Sequence, residues 1–113
     1  MSKLYLRFLR IARALETNKK SVKDVDSTAM LLLNEIAIQH FDEKPLTVSQ
    51  AMKLAAIASP ATIHRKLDEL REDGLIHLTF KGKNRRTKYL IPTKVAHAYF
   101  EKMSDSILKA IEY

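Results

Sequence analysis

Five cations, Lys81, Lys83, Arg85, Arg86 and Lys88, fall within eight residues that contain no acid. Crowded together they repel one another. A polyanion relieves that repulsion, because each phosphate neutralised releases counterions. An arginine in such a cluster can also enter a narrow minor groove. The bland alternative is a solvated loop whose lysines protect a strand edge. A second polar group, Ser59, Ala61, Thr62, His64, Arg65 and Lys66, opens the segment 59–73. If that segment is a helix, Ile63, Leu67 and Leu70 share its inward face, because apolar residues at this spacing form one stripe. Ala61, Arg65 and Asp68 then fall opposite, with Thr62 and His64 flanking them. These types suit base edges: an arginine forks to guanine, and the methyls of Thr62 and Ala61 can touch thymine. Lys66 is better placed for phosphate.

The charge order along this segment is unusual. His64, Arg65 and Lys66 precede Asp68, Glu69, Glu72 and Asp73, whereas the helix dipole prefers acids first and bases last. A helix that pushes its basic end toward phosphates would make use of that order. A solvated face, with Asp68 or Glu69 pairing internally, is the other explanation.

Other chemistries find no support. His40, His64, His77 and His97 lack metal-ligand spacing and the chain has no cysteine, so no metal site is expected. The Lys81–Lys88 stretch lacks the upstream glycine, and the Ser or Thr directly after the lysine, of a phosphate-binding loop. There is no Gly-x-Ser-x-Gly motif. The sequence predicts no enzyme activity and no cofactor.

The elements that must position these residues follow from periodicity. Residues 2–17 predict an amphipathic helix with Leu4, Phe8, Ile11 and Leu15 on one face and Lys3, Arg7, Arg10 and Arg13 beside it. Residues 17–25 are polar and predict a linker. A second helix starts at Asp26 or Ser27, either able to cap it, and runs to Phe41. Its residues Met30, Leu31, Leu32, Leu33, Ile36, Ala37 and Ile38 are apolar nearly all round, which predicts a central, buried helix. After a turn at 42–45, Leu46 and Thr47 predict a very short strand. Thr47 and Gln50 form a capping box for a third helix holding Met52, Leu54 and Ala55. The pair Ser59-Pro60 signals the start of a fourth helix, which runs to Asp73 and is ended by Gly74. Residues 75–80 and 88–91 predict two strands, with Gly82 and Asn84 in the tip between them. Thr93 caps a last helix reaching about Glu112.

At 113 residues the chain has room for one domain, 1–113: an N-terminal helix (1–18), a helical core with a hairpin (26–92) and a C-terminal helix (93–112). The fold class is mainly α, a winged helix-turn-helix with flanking helices. Apolar residues make up 46% of the chain, which argues against disorder. The net charge of +7 favours anionic partners. Much of the excess sits in two clusters, the wing stretch and the seven bases that precede Asp24 against one acid, Glu16. No apolar run is long enough to span a bilayer. The expected location is cytoplasmic, on the nucleoid if the protein is bacterial. An Arg-rich, acid-poor start also matches a transit peptide or a membrane-surface helix. A docked helix, with its arginines toward solvent or flanking DNA, is the expectation.

The run from Ser59 to Ile76, preceded by Leu46-Thr-Val-Ser-Gln50, resembles the reading head of MarR-type winged-helix transcriptional regulators. Asn84-Arg85-Arg86 is similar to the Asp-x-Arg wing motif of that family, and Thr93-Lys-Val-Ala96 to its Thr-x-x-Gly. Asn84 stands where the family has Asp, and Ala96 where it has Gly. The resemblance covers residues 46–96. It implies duplex DNA binding, with the minor-groove role falling on Arg86. It also implies a homodimer through the terminal helices, with Leu4, Phe8, Ile11 and Leu15 on one and Tyr99, Met103, Ile107 and Ile111 on the other as candidates. The rival function is a winged-helix module for protein interaction or RNA.

Overall fold

The structure, a computed structural model, describes residues 2–18 and 25–112. Most of the expected linker at 17–25, with Lys19, Lys20 and Lys23, lies outside the described residues. The element order is α1 (Lys3–Asn18), α2 (Ser27–Phe41), α3 (Val48–Ala51), α4 (Pro60–Glu72), β1 (Ile76–Lys81), β2 (Asn84–Pro92) and α5 (Lys94–Ile111). The strands form one antiparallel two-stranded sheet. This is the winged helix-turn-helix architecture expected from the sequence. The chain divides into two units, Val25–Ala96 and the pair formed by α1 with α5 from His97 onward.

In the first unit, side-chain oxygens set the helix starts. Asp26 caps α2 by accepting the Ala29 N–H at 2.8 Å. Thr47 and Gln50 form the reciprocal capping box at the start of α3. Thr93 caps α5 by accepting the Ala96 N–H at 3.2 Å, and its hydroxyl donates to the Gly74 carbonyl at 2.6 Å. That second bond ties the foot of the hairpin to the end of α4. The core is built from Leu32, Leu33 and Ile36 of α2, Ala51 of α3, Ile63, Leu67 and Leu70 of α4, and Leu75, Ile76 and Leu90 around the hairpin.

Three expectations are corrected. Helix α3 stops at Ala51, so Met52, Leu54 and Ala55 lie outside it. There the hydrogen bonds tighten to Lys53 N–H with Gln50 C=O and Leu54 N–H with Ala51 C=O. These short turns reverse the chain before Ser59. Strand β2 begins at Asn84, not Lys88, so residues 84–87 are strand and not loop tip. Helix α2 is not buried all round: Leu31 is 55% exposed and Ile38 52%. It packs on α4 and β2, and so small a core covers only part of its circumference. Leu46 and Thr47 do reach the hairpin, through Leu90 N–H to Leu46 C=O at 2.7 Å and a bridge between Thr47 and Tyr89.

Two helices end in the same motif with different chemistry. After α4, Leu75 N–H bonds Leu70 C=O and Gly74 N–H bonds Arg71 C=O, with Gly74 at φ +73°. After α2, Lys44 N–H bonds Gln39 C=O and Glu43 N–H bonds His40 C=O, but the left-handed residue is Glu43 at φ 63°. A Cβ in that region costs about 1–2 kcal/mol, and glycine returns roughly half of the gain as backbone entropy. Glu43→Gly is therefore expected to stabilise the fold by about 0.5–1 kcal/mol. A urea midpoint at or below that of the parent would reject this.

The second unit has an amphipathic α1, with Leu4 and Phe8 exposed and Ile11 and Leu15 half-buried. Tyr5 and Phe8 stack with ring centroids 6.1 Å apart. On α5, Tyr99 is only 6% exposed. Burial, and then the negative charge of Glu16, raise its hydroxyl pKa above the ordinary tyrosine value. Among the described residues no helix is long and apolar enough to cross a membrane.

Candidate nucleic-acid interface

Helix α4 begins where the sequence demands it. Ser59 has extended backbone, and its Oγ accepts the Thr62 N–H at 3.3 Å. Its hydroxyl also donates to Thr62 Oγ1 at 3.1 Å. Pro60 occupies the first turn, where its missing N–H costs nothing. Ile63, Leu67 and Leu70 are buried, which turns Ala61, His64, Arg65 and Asp68 to solvent. Thr62 is half-buried.

The three basic residues of the first half, His64, Arg65 and Lys66, have different fates. His64 Nδ1 lies 3.5 Å from Asp68 Oδ2, one helical turn on. The Lys66 ammonium reaches Asp26 Oδ2, on the N-cap of α2, and Glu69 Oε2 at 3.1 Å. The Lys66 side chain is only 13% exposed. Its hydrogen bonds to Asp26 and then Glu69 hold its pKa above the usual lysine value, and the same Lys66 contact holds the Asp26 carboxyl below its usual range. Lys66 thus ties α4 to the start of α2. Arg65 has no hydrogen bond or ion pair to any described residue. Internal pairing of Asp68 and Glu69, one of the two explanations for the charge order, does occur. It leaves Arg65 as the uncommitted cation of this turn.

The hairpin presents the other cluster. Lys81, Lys83, Arg85, Arg86 and Lys88 are all exposed. Gly82 turns the tip at φ +59°. The pairing runs Ile76 with Pro92, Leu78 with Leu90 and Phe80 with Lys88, and then shifts, so that Lys81 pairs with Asn84. Arg85, Arg86 and Thr87 are therefore extra residues on β2, a bulge that bends the strand and re-aims its side chains. Two contacts hold it. Arg86 N–H donates to Asn84 Oδ1 at 2.9 Å. The Phe80 ring lies under the Arg85 guanidinium and the Lys88 ammonium, 5.4 and 5.6 Å from its centroid.

Sequence reasoning missed two residues that organise this surface. Asp26 was legible only as a cap, because its ion-pair partner lies forty residues away. Phe80 reads as an ordinary strand residue. Its place opposite Lys88 follows from hairpin register, but the shift that brings Arg85 over it has no local signature. A groove of about 600 Å³ beside α4 is lined by Asp68, Arg71, Glu72, His77 and Lys88 among others. The far end of α4 thus meets the hairpin through mixed charge, not a cationic surface.

No protein-family model and no curated protein matches the sequence. Solved structures do. The transcriptional regulator Tm0710 from Thermotoga maritima superposes with a TM-score of 0.64 at 20% identity, over 98% of this chain and 78% of that one. MepR of Staphylococcus aureus, in a complex with DNA, gives 0.64 at 18% identity over 98% and 86%. Staphylococcus aureus MarR, in complex with salicylate and kanamycin, gives 0.60 at 20% identity over 88% and 63%. At such identities the likeness is one of fold, and it extends well beyond residues 46–96. This chain has the winged helix-turn-helix fold of the MarR-type transcriptional regulators.

Proposed function

We propose that the protein binds duplex DNA sequence-specifically as a small transcriptional regulator. The observation that carries this is the pairing, within one unit, of a helix whose exposed first turns hold an uncommitted Arg65 with a wing bearing five exposed cations. MepR, which shares the fold, is known in complex with DNA. Base contacts fall to Ala61, His64 and Arg65, with Ser59 and Thr62 at the helix start. Lys66 acts mainly through α4's orientation, and Lys81, Lys83, Arg85, Arg86 and Lys88 supply phosphate and minor-groove contacts. A protein-interaction module would be expected to show apolar residues on the outer face of α4, where Ala61, His64, Arg65 and Asp68 stand instead.

Binding to random and selected duplexes across salt tests the proposal, since a duplex affinity that does not fall steeply with salt would sink it. Arg65→Ala is expected to reduce discrimination between selected and random duplex by about 5–150-fold, the equivalent of one lost bidentate base contact. Arg86→Ala is expected to weaken all duplexes alike. Equal losses on every sequence for both variants would contradict the division of roles.

The protein acts as a homodimer through α1 and α5 in this proposal. Leu4, Phe8 and Ile111 offer exposed apolar surface, with Ile11, Leu15, Met103 and Ile107 half-buried beside it. Tyr99 is buried in the single chain and supports that surface from within. A two-fold dimer sets two reading helices about 34–36 Å apart. Sedimentation as a monomer at micromolar concentration would overturn this.

A further inference from the structure

The wing poses a physical problem that its sequence does not solve. Arg85, Arg86 and Lys88 stand within four residues, two of them on a bulge that lacks cross-strand partners. Left to solvent, three such side chains would repel one another, open the bulge and sample many rotamers. Each would then have to be ordered on binding, at about 0.5–1.5 kcal/mol per rotamer-rich side chain.

Phe80 changes this. Its ring pairs across the ribbon with Lys88, on the last regular rung before the shift. The face of an aromatic ring is negative and attracts a cation within about 6 Å. Arg85 and Lys88 both meet that distance. Asn84 meanwhile holds the backbone N–H of Arg86. Two cations are thus gathered on the ring, while the Arg86 side chain has no partner among the described residues.

We propose that Phe80 is a positioning residue for DNA binding: its ring seats Arg85 and Lys88 and so presents Arg86 from a pre-ordered bulge. This rests on the DNA reading given above, and it adds a residue that touches no DNA itself. Rigidifying a binding loop in its bound form raises affinity by lowering ordering costs, without new contacts.

The test compares Phe80→Leu, which keeps apolar bulk but removes the ring, with Phe80→Tyr, which keeps the ring face. In the free wild-type protein, NMR should show the Arg85 δ-protons and Lys88 ε-protons shifted upfield by the ring current. The shifts should persist in Phe80→Tyr and vanish in Phe80→Leu. Duplex affinity at fixed salt should fall about 5–30-fold in Phe80→Leu, the scale of two exposed cation–π contacts, and recover in Phe80→Tyr. The ranking of duplex sequences should not change. Removing Arg85 should then cost less in the Phe80→Leu background than in the wild type. Absent ring-current shifts, or a Phe80→Leu variant that binds like the wild type, would overturn the positioning role alone. Shifts without any salt-dependent duplex binding would overturn the DNA reading, and with it the purpose assigned to the ring.

Discussion

Replacing Lys81, Lys83, Arg85, Arg86 and Lys88 together by glutamine is expected to flatten the salt dependence of duplex binding by up to about 4.5 log units of affinity per log unit of salt. Each phosphate contact contributes about 0.9 to that slope, and five are removed. Between 50 and 200 mM salt the wild type should then lose about 10²–10³-fold more affinity than the variant. The fold should survive, because all five side chains are exposed and their removal relieves mutual repulsion. Unchanged or slightly higher thermal stability is the expected control. A slope that moves by less than one unit would show that the wing does not carry the electrostatic affinity, whatever α4 does.

The second large effect concerns three consecutive leucines. Leu33→Ala is expected to destabilise the protein by about 2–5 kcal/mol, since it deletes a fully buried side chain and leaves a cavity. That is a large share of the roughly 5–15 kcal/mol that holds an ordinary domain together. Leu31→Ala, two residues away on the same helix, should cost under about 1 kcal/mol, because Leu31 is 55% exposed. Chemical denaturation of the two variants measures both. Equal losses would mean that Leu31 is covered in solution, as it would be if a partner surface closed over it.

Those leucines also mark the limit of what the sequence carries. Leu31, Leu32 and Leu33 are chemically identical, and the all-apolar run around them predicts burial on every side. Which of the three is buried depends on what packs against α2, and that is decided by α4 and β2, distant in sequence. Helix α3 shows the same limit at shorter range. Its start was legible in the Thr47–Gln50 pair, a local hydrogen-bonding device. Its early end was not, because residues 52–57 switch to tight turns where the chain must reverse.

By itself the sequence determined the starts of α2, α3, α4 and α5, the end of α4 at Gly74, the inward face of Ile63, Leu67 and Leu70, and the two basic clusters. All of these follow from interactions within about four residues, where side-chain type and spacing suffice. The tertiary structure alone decided the long-range partners of the cations. Lys66, legible as a phosphate contact, is paired in the fold with Asp26, forty residues away. Lys88 lies over Phe80 as its cross-strand partner, and Arg85 joins it because a register shift after Phe80 carries β2 around the ring. The difference has one physical cause. Caps and helix faces are set by local geometry, whereas ion pairs and ring contacts form where the folded chain brings distant side chains within a few ångströms.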